Sequence, residues 1–372
     1  MKSYEKRCFS LTKIDKSGNA VSLSMKSKTQ TILTVLLTVL LLTSFFAGCI
    51  DTDIGSPTLN ECPAGDEIPP AVGNETVGSN DSVQTPDPGY ETPAADQISI
   101  AAFNIQIFGQ SKAAKDDVME VLTKTIRRYD IVGIQEIRDA SGTSLPKLVE
   151  MINGGADENG NAYNYDYVVS DRLGRSSSKE QYAYIYNANN VFVASEPLVY
   201  PEPDGTDPFE REPYMVTFRA NDGDFDALFI LIHTKPDDAK NEINELDTVV
   251  QYAKSIYKGQ ENYVVMGDFN ADGSYFNESG DSALKSGEYI WLIGNDEVTT
   301  TKSKNTYDRI VITTSLAPYF TNVSGVFNYS AEYGLTEEET HAVSDHYPVF
   351  AEFWTVVGNW FRMLFAHMRI NA

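Results

Sequence analysis

A strand-like run, a helical stretch and a second strand-like run follow one another directly after residue 97. Residues 98–103 are short and apolar, as expected of a half-buried strand. Residues 111–128 place apolar side chains on one face at helical spacing, and residues 129–135 form the second apolar run. This order and spacing are typical of an α/β unit, in which a helix covers one face of a sheet.

Further apolar runs of strand length continue along the chain and indicate the same fold class. They cover residues 182–186, 191–199, 215–218, 227–232, 263–266, 307–312 and 347–353, and a long helix is predicted over 241–257. A composition with 42% hydrophobic and 11% aromatic residues is sufficient for a substantial core. We therefore predict one α/β domain over residues 98–356, without internal repeats.

Residues 1–49 have the features of an export signal. The basic residues Lys26 and Lys28 precede an uncharged apolar stretch that ends in small residues before Cys49, as in a signal peptide. Met25 lies where the start codon of such a peptide would fall. The Ala-Gly-Cys ending resembles a prokaryotic lipobox, which would make Cys49 a lipidated residue. The alternative is a membrane anchor, because the apolar run is nearly long enough to span a bilayer. Both alternatives place the remaining chain outside the cell.

The segment 50–97 differs sharply in composition from the predicted domain. It holds ten acidic residues and seven prolines but no Lys, Arg or His. Such a segment cannot bury enough apolar surface to offset its ordering entropy, so we predict a disordered linker. Beyond the domain, residues 357–372 are predicted to form a short amphipathic tail. All three cysteines lie before residue 63, so no disulfide can brace the domain.

The charge of the chain restricts how it can meet nucleic acid. The sequence holds 53 acidic and 29 basic residues, which gives a formal net charge of −24. Proteins that bind nucleic acid mainly by neutralising phosphates are usually basic, so this composition argues against tight passive binding of DNA. It does not exclude an enzyme that meets phosphate through a divalent cation, because the ion brings its own positive charge.

Polar residues stand where several of the predicted strands begin or end. They are Asn104, Glu136, His233, Asp268, Asn270, Asp345 and His346. In a layered α/β fold such residues line a shared crevice, where carboxylates and amides are suitable ligands for Mg²⁺ or Ca²⁺. Histidines titrate near neutral pH and can transfer protons. Each residue alone has an ordinary explanation, such as a turn or a core histidine, but their combined order predicts a catalytic site.

These motifs, taken together, resemble deoxyribonuclease I within the endonuclease/exonuclease/phosphatase superfamily. The resemblance covers residues 97–354 and rests on AAFNIQIFG (101–109), YDI (129–131), QEIRD (135–139), LGR (173–175), KE (179–180), REP (211–213), GDFNA (267–271), YDRI (307–310) and SDHYPV (344–349). The opening strand, the Lys-Glu pair and YDRI indicate the deoxyribonuclease branch. The resemblance implies a four-layer α/β/β/α sandwich with two packed mixed β-sheets.

The resemblance also implies catalytic roles. Glu180 would hold His233 and Asp308 would hold His346, which gives two imidazole–carboxylate pairs for proton transfer. By the same analogy, His346 is predicted to act as the base that activates water. His233 is predicted to be the acid that protonates the leaving 3′ oxygen.

Metal and phosphate ligands follow from the same resemblance. Mg²⁺ or Mn²⁺ would be held by Glu136, helped by Asp268, Asp345 and Asn104. The amides of Asn104 and Asn270 would assist at the phosphate, and Arg138 and Arg211 would contact backbone phosphates. Structural Ca²⁺ is predicted at two loops, the first with Glu297, Thr299, Thr301 and Ser303 and the second with Asp207, Phe209 and Glu212. For both loops the alternative is a plain polar loop without an ion.

The chain also departs from the family pattern. Ser178 replaces a tyrosine that stacks on a minor-groove sugar, so a contact to duplex DNA is lost. The positions of both family disulfides are occupied by Pro201 and Asp204 and by Gly273 and Asn305. The corresponding loops are therefore expected to be looser or to be stabilised in another way.

Three functional hypotheses remain. The first is an extracellular, monomeric endonuclease, secreted or tethered to the membrane, that cuts DNA without strong sequence preference; the sequence indicates no protein partner for it. The second is a phosphodiesterase or phosphatase that acts on a lipid head group or small phosphate ester, favoured by the acidic charge and by Ser178. The third is a non-catalytic binding module, which the intact catalytic and metal-binding residues disfavour.

Overall fold

The computed structural model describes residues 12–14, 20–22, 96–177 and 179–356. The predicted signal peptide or anchor with Met25 and Cys49, the linker up to residue 95, Ser178 and the tail 357–372 lie outside the described residues, apart from two short strands before residue 23. The chain divides into two compact units, Met1–Asp81 and Ser82–Ala372. In the first unit, β1 (Thr12–Ile14) pairs with β2 (Ala20–Ser22) in antiparallel orientation.

The second unit contains the predicted α/β domain. Its strands are β3 (Gln97–Phe108), β4 (Ile131–Ile137), β5 (Tyr165–Val169), β6 (Gln181–Asn187), β7 (Val191–Val193), β8 (Leu198–Val199), β9 (Tyr214–Ala220), β10 (Asp226–His233), β11 (Tyr263–Asp268), β12 (Tyr289–Trp291), β13 (Asp308–Thr313), β14 (Phe320–Val326) and β15 (Val349–Trp354). Its α-helices are α1 (Gln110–Ala113), α2 (Asp116–Ile126), α3 (Ser144–Asn153), α4 (Ala239–Ile256), α5 (Tyr329–Glu332) and α6 (Glu337–Val343). Among the described helices, none is both long and apolar enough to cross a membrane.

The strands form two mixed sheets. One sheet has the order β12-β13-β11-β10-β9-β7, with β8 also paired to β9, and the other has the order β14-β15-β3-β4-β6-β5. Within them β10 runs parallel to β11 and β3 runs parallel to β4, whereas the other pairings are antiparallel. Parallel neighbours have their carboxyl ends at the same edge, and each sheet has one such edge.

Alternation along the strands explains why the sheets pack in layers. In β3, Ala102 faces the cluster between the two sheets, whereas its neighbour Phe103 faces the cluster beneath α2, α3 and α6. A third cluster joins Leu246 of α4 to Ile230 on the outer face of the other sheet. The layers are therefore helix, sheet, sheet and helix, which confirms the predicted four-layer fold.

Several predicted elements have different bounds in the structure. The predicted helix 111–128 is two helices, because the backbone at Lys115 is extended between α1 and α2. The predicted strand 191–199 is interrupted between β7 and β8, a stretch that contains Pro197, which has no N–H to donate. Gln97 belongs to β3, so the strand begins one residue before the predicted domain boundary.

Gly267→Ala is expected to destabilise the fold strongly. Gly267 has a φ of +138°, and a Cβ at this position would overlap the carbonyl oxygen of Ile232 in the neighbouring strand. Strand backbone cannot move aside as a flexible side chain does, so we expect a loss of roughly 3 kcal/mol or more in the free energy of unfolding. Chemical denaturation measures it, with Gly287→Ala as the control, since a Cβ on Gly287 meets nothing. Equal stability of the two variants would refute this explanation.

Candidate active site

Strand register brings the central residues of the site together. The parallel pairing of β10 with β11 sets His233 opposite Asp268, and the antiparallel pairing of β11 with β13 sets Asp268 opposite Asp308. Asn104 and Glu136 come from the parallel strands β3 and β4 of the other sheet. The amide Nδ2 of Asn104 lies 3.1 Å from Oδ2 of Asp268, so the ends of the two sheets meet in one crevice.

Two imidazole–carboxylate pairs lie in this crevice. The Nδ1 of His233 lies 3.0 Å from Oε2 of Glu180, and the Nδ1 of His346 lies 2.8 Å from Oδ2 of Asp308. The Nε2 atoms of the two rings lie 3.4 Å and 3.5 Å from the same Oδ2 atom of Asp268. The structure thus brings together both predicted pairs and directs their Nε2 atoms toward one place.

The acidic surroundings favour the protonated form of His346. Burial alone would lower the pKa of this ring, but the charges of Asp308 and Asp268 outweigh it and raise the pKa to about 10. A histidine that gives and takes protons near neutral pH needs a pKa closer to 7. The site therefore suits a partner that neutralises the carboxylates around His346.

Glu180 is expected to make folding stability depend on pH below about 4.5. Burial opposes its ionisation, but the hydrogen bond and charge of His233, with Arg211 and Arg138, lower its pKa from 4.5 to about 2. A carboxyl group with a depressed pKa stabilises the fold above its unfolded pKa and loses that contribution as pH falls toward the folded value. The stability difference between wild type and Glu180→Gln should therefore shrink from pH 6 to pH 3 in denaturant titrations. A constant difference would contradict the assignment.

Two arginines connect the carboxylates of the crevice. The Nη2 of Arg138 lies 2.8 Å from Oε1 of Glu180 and 3.1 Å from Oε2 of Glu136, and its side chain remains about one-third exposed. Arg211 is buried, donates to the carbonyl of His233 at 2.8 Å, and lies 3.5 Å from Glu180. Arg211 therefore helps to fix the positions of the His233 backbone and of the Glu180 carboxylate. Its predicted phosphate contact stays a prediction, as does that of Arg138.

Asn104 connects two predicted metal ligands. Its Nδ2 donates at 3.1 Å both to Oε1 of Glu136 and to Oδ2 of Asp268. Its Oδ1 accepts the backbone N–H of Gln106 at 2.9 Å. Because these contacts engage both ends of the amide, Asn104 orients the two carboxylates and keeps them close together.

The carboxylates of the crevice fit a divalent cation. The side chain of Asp345 is about one-third exposed, but its Oδ1 atom is buried and has no hydrogen bond to any described residue, so this oxygen is available to an ion or a water molecule. Among the described residues, Asp268, Asp308 and His346 offer ligand atoms within 4.8 Å of one another. Since Asp308 holds the His346 ring, we assign ligand roles to Asp268, Asp345 and Glu136, as hard oxygen donors suited to Mg²⁺ or Mn²⁺.

Left-handed backbone is concentrated at the crevice. Of the five described non-glycine residues with positive φ, four lie here: Gln106 (37°), Ile107 (51°), Glu136 (62°) and Asn270 (49°). Such conformations are strained, above all for β-branched Ile107, and they persist only where surrounding contacts hold them. The N–H of Ile107 donates to Oε2 of Glu136 at 2.9 Å, and that of Asn270 donates to Oδ1 of Asp268 at 3.0 Å. These strained segments therefore orient the carboxylates of Glu136 and Asp268, which are two of the predicted cation ligands.

Two supporting residues were not predicted from the sequence. The hydroxyl of Tyr182 accepts the backbone N–H of His233 at 2.9 Å. Ser344 donates to the carbonyl of Asn104 at 2.6 Å and accepts the N–H of His346 at 3.1 Å. Both hydroxyls fix the backbone next to a functional side chain. Ser344 is the first residue of the SDHYPV motif at 344–349, whereas Tyr182 belongs to none of the motifs.

The first predicted calcium loop is held by its own hydrogen bonds. The buried hydroxyl of Thr299 accepts two backbone N–H groups, and the hydroxyl of Thr301 donates to the carbonyl of Ser344. The hydroxyl of Ser303 pairs with that of Thr300 at 2.7 Å. These contacts stabilise the loop, and both calcium binding and the polar-loop alternative stay predictions.

A further carboxyl group, that of Glu202, lies near the predicted ligands of the second calcium loop. Nε of Arg175 lies 3.1 Å from Oδ1 of Asp207 and 2.9 Å from the carbonyl of Phe209. Burial raises the pKa of Glu202, and the nearby charges of Asp207 and Glu212 raise it further. Glu202 thus lies near the predicted ligands without being one of them, and calcium at this loop stays a prediction.

One of the lost disulfides has a polar replacement. A Cβ on Gly273 would lie 3.2 Å from Nδ2 of Asn305, so the two positions are adjacent. Oδ2 of Asp272 accepts Nδ2 of Asn305 at 3.1 Å and the N–H of Thr306 at 2.9 Å. Hydrogen bonds to Asp272 therefore join the two segments where a covalent link is missing.

Comparisons with known proteins match the part of the chain that forms the crevice. The profile of the Endonuclease/Exonuclease/phosphatase family matches residues 101–346. Deoxyribonuclease gamma of Rattus norvegicus is 37% identical over 264 residues, which cover 68% of this chain and 83% of the relative. Deoxyribonuclease-1 of Bos taurus is 38% identical over 265 residues, which cover 68% and 90%. A solved Bacteroides thetaiotaomicron structure of an endonuclease/exonuclease/phosphatase family protein has a TM-score of 0.48 at 18% identity, covering 69% of this chain and 94% of that one.

Proposed function

The chain belongs to the endonuclease/exonuclease/phosphatase family, and on this premise we propose that it is an extracellular deoxyribonuclease that needs a divalent cation. The observation that carries the proposal is the pair of imidazoles, each held by a carboxylate at Nδ1 and each directing Nε2 toward Asp268. Two proton-transfer groups on one crevice suit hydrolysis of a phosphodiester, which needs a base for water and an acid for the leaving oxygen.

The two histidines divide the proton transfers between them. His346 would remove the proton of the attacking water, and His233 would protonate the leaving 3′ oxygen, as the family resemblance implies. Asp308 and Glu180 fix the tautomer of each ring and stabilise its protonated form. A cation held by Glu136, Asp268 and Asp345 would supply positive charge that stabilises the phosphate and lowers the pKa of His346.

Arg138 supports DNA as the substrate. Its guanidinium bridges Glu136 and Glu180 yet remains partly exposed, so it can offer further donors to a phosphate beside the scissile one. This local positive group is important because the net negative charge of the chain repels the phosphates of DNA. The similarity to two deoxyribonucleases supports the same substrate.

Plasmid nicking by the purified full chain tests the proposal. Supercoiled plasmid is incubated with Mg²⁺ and Ca²⁺, with and without EDTA, beside bis(p-nitrophenyl) phosphate and sphingomyelin vesicles. Nicking that EDTA abolishes would support a metal-dependent deoxyribonuclease. Intact plasmid together with hydrolysis of the small diester or of the lipid would overturn it in favour of a small-ester or lipid phosphodiesterase.

We also propose that the N-terminal segment exports the enzyme and tethers it to the outer face of the membrane. The proposal rests on the basic, apolar and small-residue pattern before Cys49, followed by an acidic linker suited to a spacer. Lipidation predicts that Cys49→Ser blocks removal of the leader, so the variant should be larger than wild type on a denaturing gel and should incorporate no labelled fatty acid. Equal size of variant and wild type, without fatty-acid label in either, would favour the uncleaved anchor.

A further inference from the structure

Lys112 of α1 places its ammonium group among three backbone carbonyls. Its Nζ lies 2.9 Å from the oxygen of Ile105, 2.5 Å from that of Gln106 and 2.7 Å from that of Val343. The residue is half-buried, and an ammonium has three N–H donors, so these carbonyls can satisfy it completely. Such a contact set is uncommon for a lysine, whose charged end usually stays in water.

Two of these carbonyls belong to the strained bulge of β3. The register between β3 and β4 shifts between Asn104 and Phe108, and the residues between them include Gln106 and Ile107 with positive φ. The N–H groups of this bulge hold Oδ1 of Asn104 and Oε2 of Glu136. An ammonium on the opposite side of the same peptide units therefore stabilises the conformation that orients Asn104 and Glu136.

The third carbonyl ends helix α6. Val343 is the last residue of α6, and the carbonyls of a final helical turn lack partners within the helix. A cation there satisfies an orphan acceptor and interacts favourably with the helix dipole. Ser344, Asp345 and His346 follow directly, so the contact also fixes the start of the segment that carries the second histidine.

We propose that Lys112 is a positioning residue that joins the β3 bulge to the segment after α6 and so sets the spacing of the cation-binding carboxylates. The inference rests on the proposed function only for its effect on catalysis. It assigns Lys112 no contact with DNA or with the reacting phosphate. Lys112 acts through Glu136 and Asn104 on one side and through Asp345 on the other.

Replacing Lys112 by a neutral residue should change cation affinity in opposite directions, depending on whether Lys112 acts by positioning the carboxylates or only through its charge. Lys112 is close enough to Asp345 and Glu136 that both carboxylates raise its pKa, against a larger lowering by burial. Its positive charge therefore opposes the binding of a second cation nearby. If charge were its only contribution, a neutral residue would strengthen cation binding. If positioning dominates, a neutral residue weakens it.

Lys112→Met in the full chain tests the inference, with Lys147→Met as the matched control. Lys147 makes the same kind of contact, to the carbonyl of Ala113 at 2.6 Å, but contacts neither the bulge nor the segment after α6. Mn²⁺ binding is followed by the electron paramagnetic resonance signal of the free ion. Hydrogen exchange is followed in peptides that span residues 104–108 and 343–346.

We expect Lys112→Met to weaken Mn²⁺ binding about 10-fold and to lower kcat for plasmid nicking about 10-fold to 100-fold, with little change in KM for DNA. Exchange should accelerate in both peptides, and Lys147→Met should change none of these. Equal or tighter Mn²⁺ binding with unchanged exchange would overturn the inference. If Lys112→Met fails to fold, Lys112→Gln, which keeps a donor, undergoes the same measurements. A wild-type protein that never nicks DNA would refute the proposed function, whereas the Mn²⁺ and exchange results would still decide the role of Lys112.

Discussion

His346→Ala should lower the rate of plasmid nicking by between about 100-fold and 10,000-fold. The ring is nearly buried, Asp308 holds its Nδ1 at 2.8 Å, and its Nε2 lies 3.5 Å from Asp268 at the centre of the crevice. No other described histidine besides His233 lies in this crevice, so alanine leaves one of the two proton transfers without a group to perform it. Nicking by the purified full chain measures the rate, and thermal unfolding checks that the variant is folded.

The matched control is His341→Ala. His341 lies on α6 and belongs to neither imidazole–carboxylate pair, so the variant should nick at the wild-type rate. The double variant of His233 and His346 should be little worse than either single variant, because residues that act as a unit are not additive. A folded His346→Ala protein with more than roughly a tenth of wild-type activity would exclude the proposed role.

Asp268→Asn should reduce nicking by at least about 100-fold while preserving the shape of the side chain. Its Oδ2 accepts Nδ2 of Asn104 and lies close to both imidazole Nε2 atoms. The substitution removes a charge that raises the pKa of His346, so that pKa should fall from its value of about 10. Activity and an NMR titration of the His346 ring, both on the cation-free and the Mg²⁺-loaded protein, measure the two effects.

Asp272→Asn is the control for this substitution. Asp272 lies in the same turn but accepts hydrogen bonds from Asn305 and Thr306, away from the histidines. It should leave both the nicking rate and the His346 titration unchanged. An unshifted His346 pKa in Asp268→Asn would show that this carboxylate does not control the ring, and the electrostatic explanation would fail.

The crevice could be predicted from the sequence because residues at the carboxyl ends of neighbouring parallel strands lie side by side. His233 and Asp268 each close an apolar run, and parallel pairing of β10 with β11 then sets them side by side. Glu180 gave no such signal, since it precedes β6 and resembles any polar residue before a strand. Its pairing with His233 followed from the family resemblance and from nothing in the local pattern.

Other elements could not be predicted from the spacing of apolar residues. The helix α3 contains Pro146, which looks like a helix breaker but is tolerated in a first turn, and Asp139 accepts the N–H groups of Thr143 and Ser144 at its start. The edge strands β5 and β14 are only partly apolar, the edge strand β12 has only three residues, and none of them was predicted. Lys112 appears in the sequence as an ordinary charged helix residue, because its three carbonyls come from distant segments.

The contact of Asn104 with Asp268 links residues from two different sheets, and this has a consequence for when the enzyme can work. The sheet that carries Asn104 and Glu136 also includes β15, the last strand of the domain, whereas His233, Asp268 and Asp308 belong to the other sheet. His346 follows almost at the end of the domain. The proposed hydrolytic site is therefore complete only when the whole domain has been synthesised and folded.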